Sequence, residues 1–180
     1  MKDQTSEPES YDVSFFAADC ALNPVARVQR HGDAFLVLMP GVLSRPIRAQ
    51  STDLVGSNET LEGKLAPAGY RVCPLRKRGL SLSPHVTVGR TANNDIVLSD
   101  VSVSKVHAYL RREGADYAVL DAGSRNGTFV DEKPAPAKGR PLRLETGARV
   151  RFGTVEAMFL RAVEFWRFVE GLAAGRALPR

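Results

Sequence analysis

Three short segments of this 180-residue chain carry side chains that could hold an anion. They are Gly89-Arg90, Ser104-Lys105-Val106-His107 and Ser124-Arg125-Asn126-Gly127-Thr128. Each falls between apolar stretches, in loop positions where a rigid scaffold displays binding groups. Arg90 offers a planar fork of N–H donors, Lys105 a point charge without the fork, and Arg125 a second guanidinium. Ser104 brings a short hydroxyl that lets a ligand oxygen come close to the backbone. Asn126 brings an amide that both donates and accepts. Such a set suits a phosphorylated side chain, which carries a charge of about −1.5 to −2 and three strong acceptor oxygens. Plainer roles exist for each: Arg90 and Arg125 as surface arginines, Ser104 as a turn former.

Other chemistries find less support. His107 follows Ser104 closely enough to suggest a base and a nucleophile, yet no G-x-S-x-G elbow or orienting carboxylate accompanies them. Only His31, His85 and His107 are available and no cysteine cluster adjoins them, so a zinc site lacks its usual spacing. Cys20 and Cys73 form neither a CxxC pair nor a disulfide scaffold. No phosphate-binding glycine loop of the Walker or dinucleotide type occurs. The expectation is a protein without enzymatic activity, cofactor or metal.

These loops need strands to hold them. From Val86 onward, short apolar stretches recur: 86–88, 96–98, 106–110, 117–120, 128–130, 142–144, 148–152 and 155–160. Between them lie Asn93-Asn94-Asp95, Glu113-Gly114, Asn126-Gly127 and Thr146-Gly147, which close tight turns. The Asn126-Gly127 pair is expected to form a hairpin turn. Strands this short and regular predict a β-sandwich or barrel. After Leu160, apolar residues at Ala162, Phe165, Trp166, Val169, Leu172 and Ala173 follow helical spacing, with Gly175 as the stop. That helix is expected to pack Phe165, Trp166 and Val169 on the sandwich or on the N-terminal region.

In order and spacing, the three loop motifs resemble those of the forkhead-associated (FHA) domain: a GR at a strand end, an S-x-x-H and an S-x-N-G-T. Gly147 and Phe152-Gly153 are similar to that family's closing strands. The resemblance implies an all-β, FHA-type sandwich of about eleven strands that reads phosphothreonine in a partner protein. It implies that Arg90 and Ser104 contact the phosphate and that Asn126 bonds the peptide main chain. It assigns His107 a structural role bracing the recognition loop, and Gly89 and Gly127 roles in backbone shape. Lys105 departs from the family's usual Arg or Asn, and Arg125 stands where many members have threonine. Both remain candidates for phosphopeptide contact.

The resemblance covers roughly residues 63–161. Residues 1–10 are expected to be a disordered acidic tail, 11–62 an N-terminal extension and 162–180 a C-terminal amphipathic helix and tail. Within the extension, Val25 to Met39 is expected to form two strands around His31-Gly32-Asp33, and 44–63 a loop or linker. A net charge of +5 favours acidic partners without choosing among them. Between Lys64 and Arg90 the charge is entirely basic, a possible anion-facing patch or simply a solvated edge; with only Tyr70 to stack bases, nucleic acid is disfavoured. The expected partner is a threonine-phosphorylated protein, a Ser/Thr kinase or its substrate included. No apolar run reaches the twenty or so residues a membrane span needs, and the expected compartment is the cytoplasm. The competing function is a phospho-independent interaction scaffold using the apolar helix. Thr5 in the tail is a candidate for phosphorylation and capture by the chain's own loops.

Overall fold

The computed structural model describes residues 10–40, 69–78, 83–136 and 140–175. The expectations for residues 1–9, including Thr5, for the linker at 44–63 and for residues 176–180 lie outside these. Among the described residues, twelve strands form two sheets. One has five strands in the order β10 (Leu142–Leu144), β7 (Asp116–Asp121), β6 (Ala108–Glu113), β4 (His85–Gly89) and β5 (Ile96–Val97). The other has seven: β1 (Tyr11–Asp12), β3 (Arg71–Pro74), β2 (Ala34–Leu38), β12 (Val155–Arg161), β11 (Arg149–Phe152), β8 (Thr128–Val130) and β9 (Lys133–Pro134). The β-sandwich is thus present, with a small helical layer added outside the larger sheet.

Why the helical layer exists is written in β2. Its five residues, Ala34-Phe35-Leu36-Val37-Leu38, are all buried. Because side chains alternate across a strand, the run divides between two cores. Ala34, Leu36 and Leu38 face the space between the sheets with Val88, Leu110, Val119, Val150 and Phe159. Phe35 and Val37 face outward and require a cover. Helix α3 (Ala162–Ala173) supplies it with Phe165, Trp166 and Val169, as the spacing predicts, and with Phe168. The rings of Phe35 and Phe165 stack with centroids 3.8 Å apart. Phe16, from the short helix α1 (Ser14–Ala17), closes the layer against both.

Two expectations about the N-terminal region need correction. The first half of Val25 to Met39 is not a strand but helix α2 (Pro24–His31). Its signals are terminal rather than periodic: the Asn23 side chain accepts from the Ala26 N–H at 2.9 Å, Pro24 opens the first turn, and Gly32 leaves it at φ +95°. Ser10, placed in the disordered tail, is buried and accepts a hydrogen bond from Arg71 Nη2 at 2.6 Å.

The basic stretch before Arg90 also disperses into the fold. Arg71 holds Ser10, Arg76 donates to the Tyr11 hydroxyl, and Lys77 Nζ lies 2.7 Å from Asp95. Tyr70 sits edge-on to Phe168. Among the described residues, no helix is long and apolar enough to cross a membrane.

Candidate functional site

Arg90 ends β4, and its backbone sets the site. The Arg90 N–H donates to the Ser104 carbonyl at 2.9 Å, and its Nε donates to the Val103 carbonyl at 3.2 Å. These bonds fix the root of the side chain, and no carboxylate pairs with its guanidinium among the described residues. Gly89 precedes it because nothing larger fits: an added Cβ would stand 2.3 Å from the Lys105 carbonyl oxygen and 2.6 Å from Asn94 Nδ2. That crowding is the contact itself. Buried Asn94 donates to the Thr91 and Lys105 carbonyls at 2.8 and 2.7 Å, tying the turn after β4 to the loop before β6.

Ser104 is held from three sides. Its N–H donates to Nδ1 of His107 at 3.0 Å, its carbonyl accepts from Arg90, and its hydroxyl oxygen accepts from the Arg125 N–H at 3.1 Å. Since the oxygen is already an acceptor, the hydroxyl proton is free to be donated elsewhere. His107, fully buried, has its tautomer dictated by these partners. Nδ1 must accept from Ser104, so Nε2 carries the proton and donates to the Gly127 carbonyl at 3.1 Å. Burial holds the His107 pKa below the usual imidazole value, outweighing the Gly127 carbonyl and Asp121, which favour the charged form. A neutral, buried ring with both nitrogens committed braces two loops.

The third loop, 122–127, carries the chain from the five-stranded sheet to the seven-stranded one. Asn126-Gly127 is therefore not a hairpin turn, because β7 and β8 belong to different sheets. Gly127 still needs its glycine, at φ +75° with the Phe129 ring 3.0 Å from an added Cβ. The loop hangs on buried Asp121, which accepts from the Gly123 and Ser124 N–H groups at 2.9 Å, the Ser124 hydroxyl at 2.6 Å and the Thr128 hydroxyl at 2.7 Å. Burial pushes the Asp121 pKa up, but these donors together overcome it and hold the carboxyl below its ordinary value. Asn126 Nδ2 donates to the Ser102 carbonyl at 2.7 Å, which joins this loop to that of Ser104.

Arg90, Ser104, Lys105, Arg125 and Asn126 thus lie on loops stitched to one another. The side chains of Lys105 and Arg125 are exposed and meet no partner among the described residues. Reading the sequence missed Asn94, Ser102 and Asp121, the residues that do the stitching. Asn94 had been assigned only to a turn. Asp121 carries a readable signal, an aspartate two and three residues before N–H groups it can cap.

A family model described as FHA domain matches residues 86–153, the stretch from β4 to the β11–β12 turn. An oxoglutarate dehydrogenase inhibitor of Corynebacterium efficiens is 31% identical over 87% of this chain and 92% of its own. The chain belongs to the forkhead-associated domain family. The glycogen accumulation regulator GarA of Mycolicibacterium smegmatis is 39% identical over 43% of this chain and 46% of its own. A solved chain described under phosphothreonine-dependent FHA domain interactions is 22% identical, with a TM-score of 0.47, and covers 71% of this chain and 95% of its own.

Proposed function

We propose that this FHA protein is a phosphothreonine reader that acts by binding a phosphorylated protein segment. What supports this reading is that Arg90, with no carboxylate partner among the described residues, and Ser104, whose hydroxyl oxygen already accepts from Arg125, lie on loops bonded to each other through the Arg90 N–H and the Ser104 carbonyl. Arg90 binds two phosphate oxygens through its fork, and Ser104 donates to a third. Lys105 and Arg125 add charge from either side. Asn126 directs its amide oxygen to the peptide main chain, its Nδ2 being held by Ser102. Relatives named as an inhibitor and a regulator support a role in restraining an enzyme by binding it, with oxoglutarate dehydrogenase as the candidate target.

The test is titration calorimetry with one peptide in phosphothreonine, phosphoserine and unmodified forms. Charge-assisted hydrogen bonds contribute about 1.5–3 kcal/mol each, so Arg90→Ala, losing the two that Arg90 makes, about 3–6 kcal/mol together, should weaken the phosphothreonine peptide by roughly a hundredfold or more. Equal binding of modified and unmodified peptides, unaffected by Arg90→Ala, would instead favour the phospho-independent scaffold.

A further inference from the structure

The helical layer holds a feature that phosphopeptide reading does not use. Helices α2 and α3 flank an open groove of about 230 Å³ lined by Pro24, Arg27, Val28, Val163, Trp166 and Arg167 among others. Arg27 lies over the Trp166 ring, 4.8 Å from its centre, and its Nη1 meets Glu170 at 2.9 Å while Nη2 meets the Cys20 carbonyl. Among the described residues, two buried N–H groups here have no acceptor: Nε of Arg27 and Nε1 of Trp166, a residue only 4% exposed. Both are enclosed by the protein and neither is open to a molecule in the groove. Arg167, exposed on the same wall, also has no partner among the described residues.

The apolar side of the groove is equally unfinished. Val163 is 58% exposed, Val25 66% and Val28 37%, so the aliphatic surface continues past the groove on both helices. Val163 and Arg167 stand four apart on α3, as do Pro24 and Val28 on α2, which places each pair along one helix face. The groove is smaller than pockets that enclose small ligands, about 300–1,000 Å³, and its open form suits a side-chain-bearing segment laid between two helices. Arg167 is the exposed charge left over on this wall among the described residues, since the Glu170 carboxylate is already engaged by Arg27. Complementarity therefore asks for an acid flanked by aliphatic groups.

We propose that the α2–α3 groove is a second docking site, for a segment of a partner protein that presents an Asp or Glu between aliphatic residues. Its carboxylate meets Arg167, and its aliphatic side chains cover Val28 and Val163. This site is independent of phosphate recognition by Arg90.

The full chain carrying Arg90→Ala would be panned against a random peptide library, so that phosphate-facing loops do not drive selection. Enriched peptides should carry an acid between aliphatic residues and shift the indole N–H resonance of Trp166, the only tryptophan in the chain. Val163→Asp should weaken them at least tenfold. Arg167→Glu should weaken them likewise and favour variants in which lysine replaces the acid. Both positions are exposed, so unchanged melting curves verify folding. The proposal is overturned by failure to enrich any peptide, by a basic consensus, or by binding indifferent to Val163→Asp. Sedimentation showing self-association abolished by Val163→Asp would also overturn it, assigning the face to a second copy of the chain.

Discussion

Replacing His107 with phenylalanine tests whether the recognition loops are rigid because of one ring. The substitution keeps an aromatic of similar shape against Phe152, which His107 meets edge-on at a centroid distance of 5.9 Å. It removes two hydrogen bonds with unequal consequences. The Gly127 carbonyl keeps the Gly153 N–H at 3.0 Å, so it loses one bond of two, at a cost of about 0.5–1.5 kcal/mol. The Ser104 N–H has no substitute for Nδ1, and leaving it unpaired costs about 1–3 kcal/mol. His107→Phe should therefore destabilise the fold by about 2–4 kcal/mol in urea titrations read by circular dichroism.

The same change releases Ser104 from one of its three restraints, so phosphothreonine-peptide affinity should fall at least tenfold under conditions where the variant is still folded. The ring also has a pH signature. Its folded pKa lies below the unfolded value near 6.5, so the unfolded state binds the extra proton first. The stability it confers is complete above about pH 6.5 and declines as acid approaches the folded pKa. His107→Phe should flatten the stability profile in that interval. A variant within 0.5 kcal/mol of the parent, with unchanged affinity and an unchanged pH profile, would refute the bracing role.

Asp121→Asn should cost about 2–4 kcal/mol, because the amide turns donors toward donors in a buried site where four N–H and O–H groups converge; thermal melting will show it. The depressed pKa values of Asp121 and Asp95 place their contribution above about pH 4, to be lost as pH falls through the folded values, so acid unfolding should begin at higher pH in Asp121→Asn. Gly89→Ala forces the Lys105 carbonyl and Asn94 apart and should both destabilise the chain by about 1–3 kcal/mol and abolish phosphopeptide binding by calorimetry. Glu132→Gly should stabilise by about 1 kcal/mol in chemical denaturation, since Glu132 stands at φ +63° in the β8–β9 turn.

Most strands from Val86 to Leu160 were readable to within a residue or two, because alternating apolar residues and positive-φ turn residues are local properties, although β6 runs three residues past the stretch 106–110. Strands β8 and β10 coincide with the stretches 128–130 and 142–144. Helix α3 was readable for the same reason, its period extending over three turns. Failures fell where period was ambiguous or absent. The eight residues of α2 are too few to separate helical from strand alternation, and its identity resided in Asn23, Pro24 and Gly32. Strand β3 lay hidden in a stretch that drew notice for its charges, and two-residue β1 and β9 carry no period at all.

The site divides along the same line. Residue types marked Arg90, Ser104, Lys105, Arg125 and Asn126 as candidates and the resemblance to the FHA motifs supplied their roles, because a donor's chemistry belongs to its side chain and a motif's spacing belongs to the chain. Their assembly depends on pairs far apart in sequence: Asn94 on the Lys105 carbonyl, Arg125 on the Ser104 hydroxyl, Asn126 on Ser102 and His107 between Ser104 and Gly127. Those bonds require β4, β6 and β7 to be paired and the 122–127 loop to cross between sheets. Donor chemistry and the positions of the strands along the chain were thus set by local pattern, while the order of strands in the sheets, the bonds joining the three loops, the tautomer of His107 and the groove beside Trp166 were decided by packing, since each requires atoms that only the folded chain brings together.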